Sequence, residues 1–174
     1  MCGFMSGITI RRAGVDDAEA LAALGAQTFT ETFGRLYPPE DLEGFLAQSY
    51  APWTFAGFLE RPDQAMWIAE DSSGPVGYVH AGACALPHPE VTAGCGEVKR
   101  LYVGRGRQGA GLGGHLLEVA LDWLEAPGRK LWIGVWSENH GAQRLYARYG
   151  FSKVGEYEFP VGNTRDHEFI LRRG

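Results

Sequence analysis

Two hydrophobic rhythms alternate along the chain, one of period two and one near 3.6, and their order predicts the architecture. Residues 8–13 alternate as a first strand. A helix follows to about residue 33, with Asp16 and, three residues later, Glu19 forming a variant of the capping box at its start. Pro38 and Pro39 begin a second helix that runs to about Ser49, and residues 53–59 suit a short helical turn. Residues 64–70 and 76–85 read as two strands joined by the turn Asp71-Ser72-Ser73-Gly74-Pro75. A loop rich in Pro and Gly at 86–94 leads into a strand at 96–103. Then come a helix at 112–126, a strand at 130–136, a short helix around Tyr146, a strand at 151–159, a turn at 161–163 and a closing strand at 166–172. Strands first, then a βαβα unit, then a terminal hairpin predict a single α/β domain, a mixed twisted sheet of about seven strands with helices on both faces. Residues 1–7 carry no periodicity and are expected to be a disordered leader, with Met5 as an alternative start, which leaves 8–174 as the domain.

Between the strand at 96–103 and the helix that begins near Leu112 lies Gln108-Gly109-Ala110-Gly111-Leu112-Gly113, followed by Gly114 and His115. Glycines remove the Cβ atoms that would keep a ligand from the main chain, and they tolerate the positive φ angles that turn successive N–H groups inward. The helix adds unpaired amides and the positive end of its dipole, so the segment makes a cradle for a pyrophosphate. A Walker A loop would end in Gly-Lys-Ser/Thr, where this chain has His115. Gly109, Gly111 and Gly114 match the spacing of a dinucleotide-binding G-x-G-x-x-G. The next strand, however, ends at Trp136 without an acidic residue, and the loop lies far from the N-terminal βαβ unit where that motif sits. A Gly-rich turn that merely caps a helix is the plainer alternative.

A second motif decides against the plain turn. Asn139-His140-Gly141-Ala142-Gln143-Arg144-Leu145-Tyr146-Ala147-Arg148-Tyr149-Gly150-Phe151 places Ala142, Leu145, Tyr146 and Tyr149 on one stripe of a short helix that Gly150 can end. Together the two segments resemble the GCN5-related N-acetyltransferase (GNAT) superfamily, whose acyl-CoA loop is Q/R-x-x-G-x-G/A and whose later signature is N-x-x-A-x-x-x-Y-x-x-x-G-F. The resemblance reaches from Ile10-Arg11-Arg12-Ala13 and Asp17 to the closing strand and covers nearly the whole chain. It implies a GNAT-type domain, acetyl-CoA as co-substrate and transfer of acetyl to a primary amine. It also implies roles for particular residues. Gln108, Gly109, Ala110, Gly111, Leu112, Gly113 and Gly114 would hold the cofactor's phosphates. The main chain of Leu101, Tyr102 and Val103 would pair with its pantetheine arm as an added strand between splayed neighbours. Asn139 would reach the same arm, or simply cap the helix. Arg107 and Arg148 are further candidates for the phosphates.

The chemistry so implied makes definite demands. An alkylamine with a pKa of about 10 is roughly 99.9% protonated at pH 7, so some group must accept its proton, and the departing thiolate needs another. Tyr146 matches the family's tyrosine that projects toward the CoA sulfur, and a phenol stays protonated at neutral pH and ready to donate. Glu97 is the candidate base, directly or through water. A salt bridge to Lys99 at i+2 is its competing role, and His80 is the alternative base.

Composition narrows the partners. With 174 residues, 45% of them hydrophobic, the chain can bury one sizeable core. A net charge of −5 argues against nucleic acid as a partner, which needs a basic surface. Three cysteines, Cys2, Cys84 and Cys95, with no C-x-x-C, suit idle thiols in a reducing cytosol. No run approaches the roughly 18 apolar residues of a membrane span, and the N-terminus lacks the pattern of a signal peptide, so a cytoplasmic protein without a membrane partner is expected.

The acceptor is read from residues 28–34, 97–103, 135–139 and 159–162, which look similar to the bacterial spermidine/spermine N-acetyltransferase branch. That branch implies a polyamine or related small amine, for which Glu31, Glu40, Asp41 and Glu43 offer carboxylates. The alternatives are a protein or peptide N-acetyltransferase and a catalytically silent acyl-CoA-binding regulator. Relatives are often dimers, so a homodimer is among the implied partners.

Overall fold

Seven strands hydrogen-bond side by side in the order β1-β2-β3-β4-β5-β7-β6. They are β1 (Thr9–Arg12), β2 (Gln64–Asp71), β3 (Gly74–Ala83), β4 (Gly96–Val103), β5 (Leu131–Trp136), β6 (Ser152–Val161) and β7 (Thr164–Arg173). Every neighbouring pair is antiparallel except β4–β5, which is parallel and is joined by the crossover helix α4, here numbered with α1 (Ala18–Phe33), α2 (Pro39–Ser49), α3 (Pro52–Glu60) and α5 (His140–Arg148), α4 itself spanning Leu112–Leu124. The computed structural model describes residues 7–174. The leader expected at 1–7, with Met5 and Cys2, lies outside the described residues but for Gly7. Among the described residues no helix is long and apolar enough to cross a membrane.

Both sheet faces are covered, and each by residues that the helical stripes supply. On one face α4 buries Leu112, Leu116, Leu117 and Leu124 against Val79, Val98 and Ile133. On the other, Leu21 and Phe29 of α1 and Phe55 of α3 pack on Met66, Ile68 and Tyr78. Burying each such side chain contributes on the order of 2 kcal/mol, so the two faces together hold the sheet rigid behind the site.

Three local details depart from the expected pattern. The first helix is capped by Asp17 and preceded by a 3-10 turn at Val15–Asp17. Asp17, not Asp16, accepts from the Gly14 amide at 2.8 Å and pairs with Arg11 at 2.7 Å, so the capping box of Asp16 and Glu19 does not form. The short turn expected near Trp53 is a full helix, because Pro52 fits its first turn. Helix α4 stops at Leu124 rather than 126, since Pro127 disfavours helical geometry in the residue before it.

The detail that shapes the site is a bulge. Ala81 of β3 faces Val98 and His80 faces Arg100, so Lys99 is an extra residue in β4. A bulge bends its strand and increases the local twist. The β4–β5 ladder accordingly ends after three pairs, Gly96 with Leu131, Glu97 with Trp132 and Val98 with Ile133. Beyond it the two strands diverge, while β5 stays paired to β7 as far as Trp136 and Glu168.

Candidate active site

The opening between the diverging strands is a narrow slot of about 70 Å³. Leu101 and Tyr102 form one wall, Gly134–Trp136 the other, and Asn139, Tyr146 and Glu168 close its ends. Leu101, Tyr102 and Val103 pair with β3 on one edge and with no strand on the other, so their free edge can accept an extended ligand. Helix α5 sets Tyr146 into the slot. The Asn139 side chain caps it, its Oδ1 accepting from the Ala142 amide at 3.1 Å. The Gln143 amide donates to the Trp136 and Ser137 carbonyls and pins the helix to the end of β5. Tyr146 is buried, and burial with the nearby Glu168 carboxylate pushes its phenol above the ordinary range. It therefore keeps its proton at neutral pH.

The glycine loop has the geometry of an anion cradle. Gly109 and Gly111 both have φ of +84°, a region that side-chain-bearing residues rarely adopt, and Gly111 is the N-cap of α4. The first helical bond runs from the His115 amide to the Gly111 carbonyl, which leaves the amides of Leu112, Gly113 and Gly114 at the open end of the helix. A Cβ on Gly109 or Gly111 would meet nothing within 4 Å, so the space over the loop is open to a ligand. Gly113 has ordinary room for a Cβ, 3.7 Å from Leu145; nothing in the chain itself demands glycine there. The Gln108 side chain donates to the Val103 carbonyl at 3.0 Å, tying the loop to the end of β4, so only its main chain is left facing outward. Ala110 is exposed beside it. Arg107 is paired with Asp71, and Arg105 ties the loop to the end of α1, its guanidinium donating to the Glu31 carbonyl at 2.7 Å and its main-chain amide to the Glu31 carboxylate at 3.0 Å; Arg148 is exposed on α5.

Behind the slot, on the α1–α3 face, lies a larger cavity of about 410 Å³. Its walls are largely aromatic, with Phe29, Phe33, Tyr50, Phe58, Tyr157 and Phe159 contributing. Gly134 borders both spaces, and the room a Cβ would need there is taken by the Tyr157 hydroxyl, 2.9 Å away. Three carboxylates line the cavity, Glu97, Asp166 and Glu168, together with Lys99 and Arg100. Arg100 lies over the rings of Tyr50, Phe55 and Phe58 at 5.0–5.4 Å, and its Nη1 is buried without a hydrogen-bond partner. The acidic residues expected to hold a polycation, Glu31, Glu40, Asp41 and Glu43, line none of this cavity. Glu31 is engaged by Arg105 and Asp41 by the Asn163 amide.

The carboxylates differ in their surroundings. Glu97 Oε2 accepts from the Ala85 amide at 2.9 Å and from Lys99 Nζ at 3.1 Å, the ion pair foreseen as its competing role. Asp166 accepts from the Tyr37 hydroxyl. Among the described residues Glu168 has no such donor; burial, reinforced by Asp166, raises its carboxyl to about 7. His80 Nε2 sits 2.6 Å from Gln64 Oε1, and burial, then Arg100 and Lys99, lower its imidazole to about 2. An imidazole so reluctant to take a proton makes a poor base at neutral pH, which weighs against the alternative of His80. Glu168 belongs to no motif and is not among the candidates that the sequence offers. The clue was Asp166 and Glu168 at alternate positions of one strand, which places both on the same sheet face.

Residues 26–151 match the family model described as Acetyltransferase (GNAT) family. An uncharacterized N-acetyltransferase of Lactobacillus delbrueckii subsp. lactis is 29% identical over 97% of this chain and 98% of its own length. An uncharacterized N-acetyltransferase of Mycobacterium tuberculosis is also 29% identical, over 90% of this chain and 97% of its own. Among solved structures, the PaiA N-acetyltransferase of Thermoplasma acidophilum in complex with coenzyme A superposes with a TM-score of 0.75 at 20% identity, covering 95% of this chain and 98% of that one. The ribosomal-protein-S18-alanine N-acetyltransferase of Escherichia coli gives 0.69 at 20% identity, over 95% and 92%. These structures share the fold.

Proposed function

Since the chain belongs to the acetyltransferase (GNAT) family and is an acetyl-CoA-dependent N-acetyltransferase, we propose that its acceptor is a small primary amine held in the 410 Å³ cavity, with polyamines first among the candidates. The observation that carries this reading is the junction of two spaces: an aromatic cavity bearing three carboxylates adjoins, along shared residues that include Gly134 and Glu168, the slot that holds Tyr146. A volume of this size suits a small molecule. Carboxylates and ring faces both attract an ammonium group.

Acetyl-CoA, when bound, supplies the acetyl group as an activated thioester. The amides at the start of α4, with Gln108, Gly109, Ala110, Gly111, Leu112, Gly113 and Gly114, hold its phosphates in this reading. The free edge of Leu101, Tyr102 and Val103 aligns the pantetheine arm, with Asn139 at its side. Tyr146 donates its hydroxyl proton to the leaving sulfur. Glu97, proposed from sequence as the base, better suits a share in holding the acceptor's cation, because it lines the cavity and not the slot. The free thiols of Cys84 and Cys95 suit a reducing cytoplasm.

A second reading is favoured by Arg100, whose buried unpartnered Nη1 would suit an acceptor carrying an anionic group beside its amine, such as an amino acid or a peptide end. Incubation with acetyl-CoA and spermidine, single amino acids or short peptides, read as free thiol release, separates the two. Release with amino acids or peptides but none with spermidine would overturn the polyamine reading. Glu97→Gln should raise KM for spermidine several-fold, an effect that shrinks with added salt, and leave acetyl-CoA affinity unmoved. A fall in kcat with unchanged KM would instead return Glu97 to the chemistry.

A further inference from the structure

We propose that Glu168 is the group that takes the proton from the acceptor's ammonium and so frees the amine for attack. This rests on the reading that a primary amine occupies the aromatic cavity. A base must reach the nitrogen where it meets the acetyl carbonyl, so its position matters before its acidity. That meeting point is where cavity and slot adjoin. The two spaces share Phe33, Lys99, Arg100, Tyr102, Gly134 and Glu168, and among the described residues Glu168 is the one carboxylate that lines both. Glu97 and Asp166 line the cavity alone, and each is held by donors of its own.

The neighbours of Glu168 explain why it can wait as a base. From its own strand Asp166 raises its carboxyl and His167 opposes that; His167 is itself engaged by Glu156 at 2.7 Å. Lys99, Arg100 and Tyr102 face it from β4, Tyr157 from β6 and Tyr146 from α5, and the Tyr37 phenol also feels its charge. Burial is the largest influence, and the carboxyl titrates near 7, close to the pH at which the protein would work. Burial holds Tyr146 on the other side of neutrality, and the Glu168 charge adds to it. Both groups are raised, Glu168 into the neutral range and Tyr146 further above it, so around one small slot one can accept a proton while the other still holds one.

The protons and electrons balance. The ammonium gives its first proton to a Glu168 carboxylate oxygen, which passes it to solvent. The freed nitrogen pair forms the bond to the carbonyl carbon as the carbon–sulfur bond breaks, and the sulfur keeps that bonding pair. Tyr146 protonates the sulfur, and the second proton shed by the nitrogen restores the phenol.

The test compares wild type, Glu168→Gln, Glu168→Asp and Glu97→Gln in kcat/KM against pH, with spermidine or whichever amine releases thiol fastest. The wild type should lose rate below a midpoint near 7. This limb is well separated from the acceptor's own ionisation near about 10. Glu168→Gln should lose about 10² in rate at neutral pH and lose the limb, while Glu168→Asp should keep the limb and part of the rate. Acetyl-CoA affinity by calorimetry should stay put in both. Independently of turnover, ¹³C-carboxyl NMR of the ligand-free protein should show one glutamate titrating near 7 that is missing in Glu168→Gln. A Glu168→Gln enzyme with the wild-type limb and rate would overturn the proposal, and so would loss of the limb in Glu97→Gln instead. Should Glu168→Gln fail to fold, Glu168→Asp and the carboxyl titration decide alone, and a flat Asp profile or a glutamate set titrating wholly near about 4.5 would overturn it. A wild type that acetylates none of the amines would overturn the acceptor reading, and with it this step, whatever the NMR shows.

Discussion

Tyr146→Phe will lower turnover by about 10³ and leave both folding and acetyl-CoA affinity close to wild type. The ring is part of the core between α5 and the sheet, packing near Phe151 at 6.4 Å between centroids, and phenylalanine keeps that packing. Only the hydroxyl goes, and with it the one proton donor that α5 places in the slot. The phenol's upward displacement means that it reaches neutral pH fully protonated, so the loss should be as large at pH 6 as at pH 8. Steady-state rates at saturating acetyl-CoA check this. Turnover within about twofold of wild type would assign Tyr146 to packing alone.

Gly111→Val will weaken acetyl-CoA binding by about 10²–10³, roughly 3–4 kcal/mol, in a protein that still folds. A β-branched residue cannot hold the +84° φ of this N-cap, so the amides of Leu112 and Gly113 would swing off their common target. Nothing crowds the position, so the damage stays in the loop. Gly111→Asn separates conformation from bulk, because asparagine tolerates the left-handed region and keeps the loop's shape while adding a side chain on its open face. It should lose less affinity than the valine variant. Calorimetry with acetyl-CoA on both, with circular dichroism to verify folding, decides; undiminished affinity in folded Gly111→Val would show that the phosphates bind elsewhere.

What the sequence made legible follows from how local the cause is. The glycine loop could be read because a positive φ and a helix start are written in adjacent residues, and α5 because Ala142, Leu145, Tyr146 and Tyr149 repeat at helical spacing. The mixed sheet of about seven strands and its cover of helices on both faces followed from the order of elements alone, whereas the strand order did not. The bulge at Lys99 was hidden, since it exists only in the register between β3 and β4, a relation between segments some 20 residues apart. Glu168 was hidden for a related reason. On a hairpin strand a carboxylate ordinarily faces water, and only the packing of β7 beside β5, under α1, brings this one inward. Gln108 shows the opposite case: the motif offers it as a phosphate ligand, but its side chain serves the loop's attachment to Val103.

The short parallel ladder also divides the sheet mechanically. Strands β1–β4 and strands β5–β7 are zipped together along three residue pairs, with α4 strapped across the seam. That is the fewest pairs between any two neighbouring strands, and in the ligand-free protein backbone amides of β4 beyond Val98 should exchange with solvent faster than those of β2 or β3. A ligand lying along that edge would bond to one half and pack against the other, acting as the missing rungs. Its binding energy then becomes cohesion: at a concentration 100 times its Kd it would stabilise the fold by about 2.7 kcal/mol, visible as a rise in melting temperature together with slowed exchange confined to Leu101, Tyr102 and Val103.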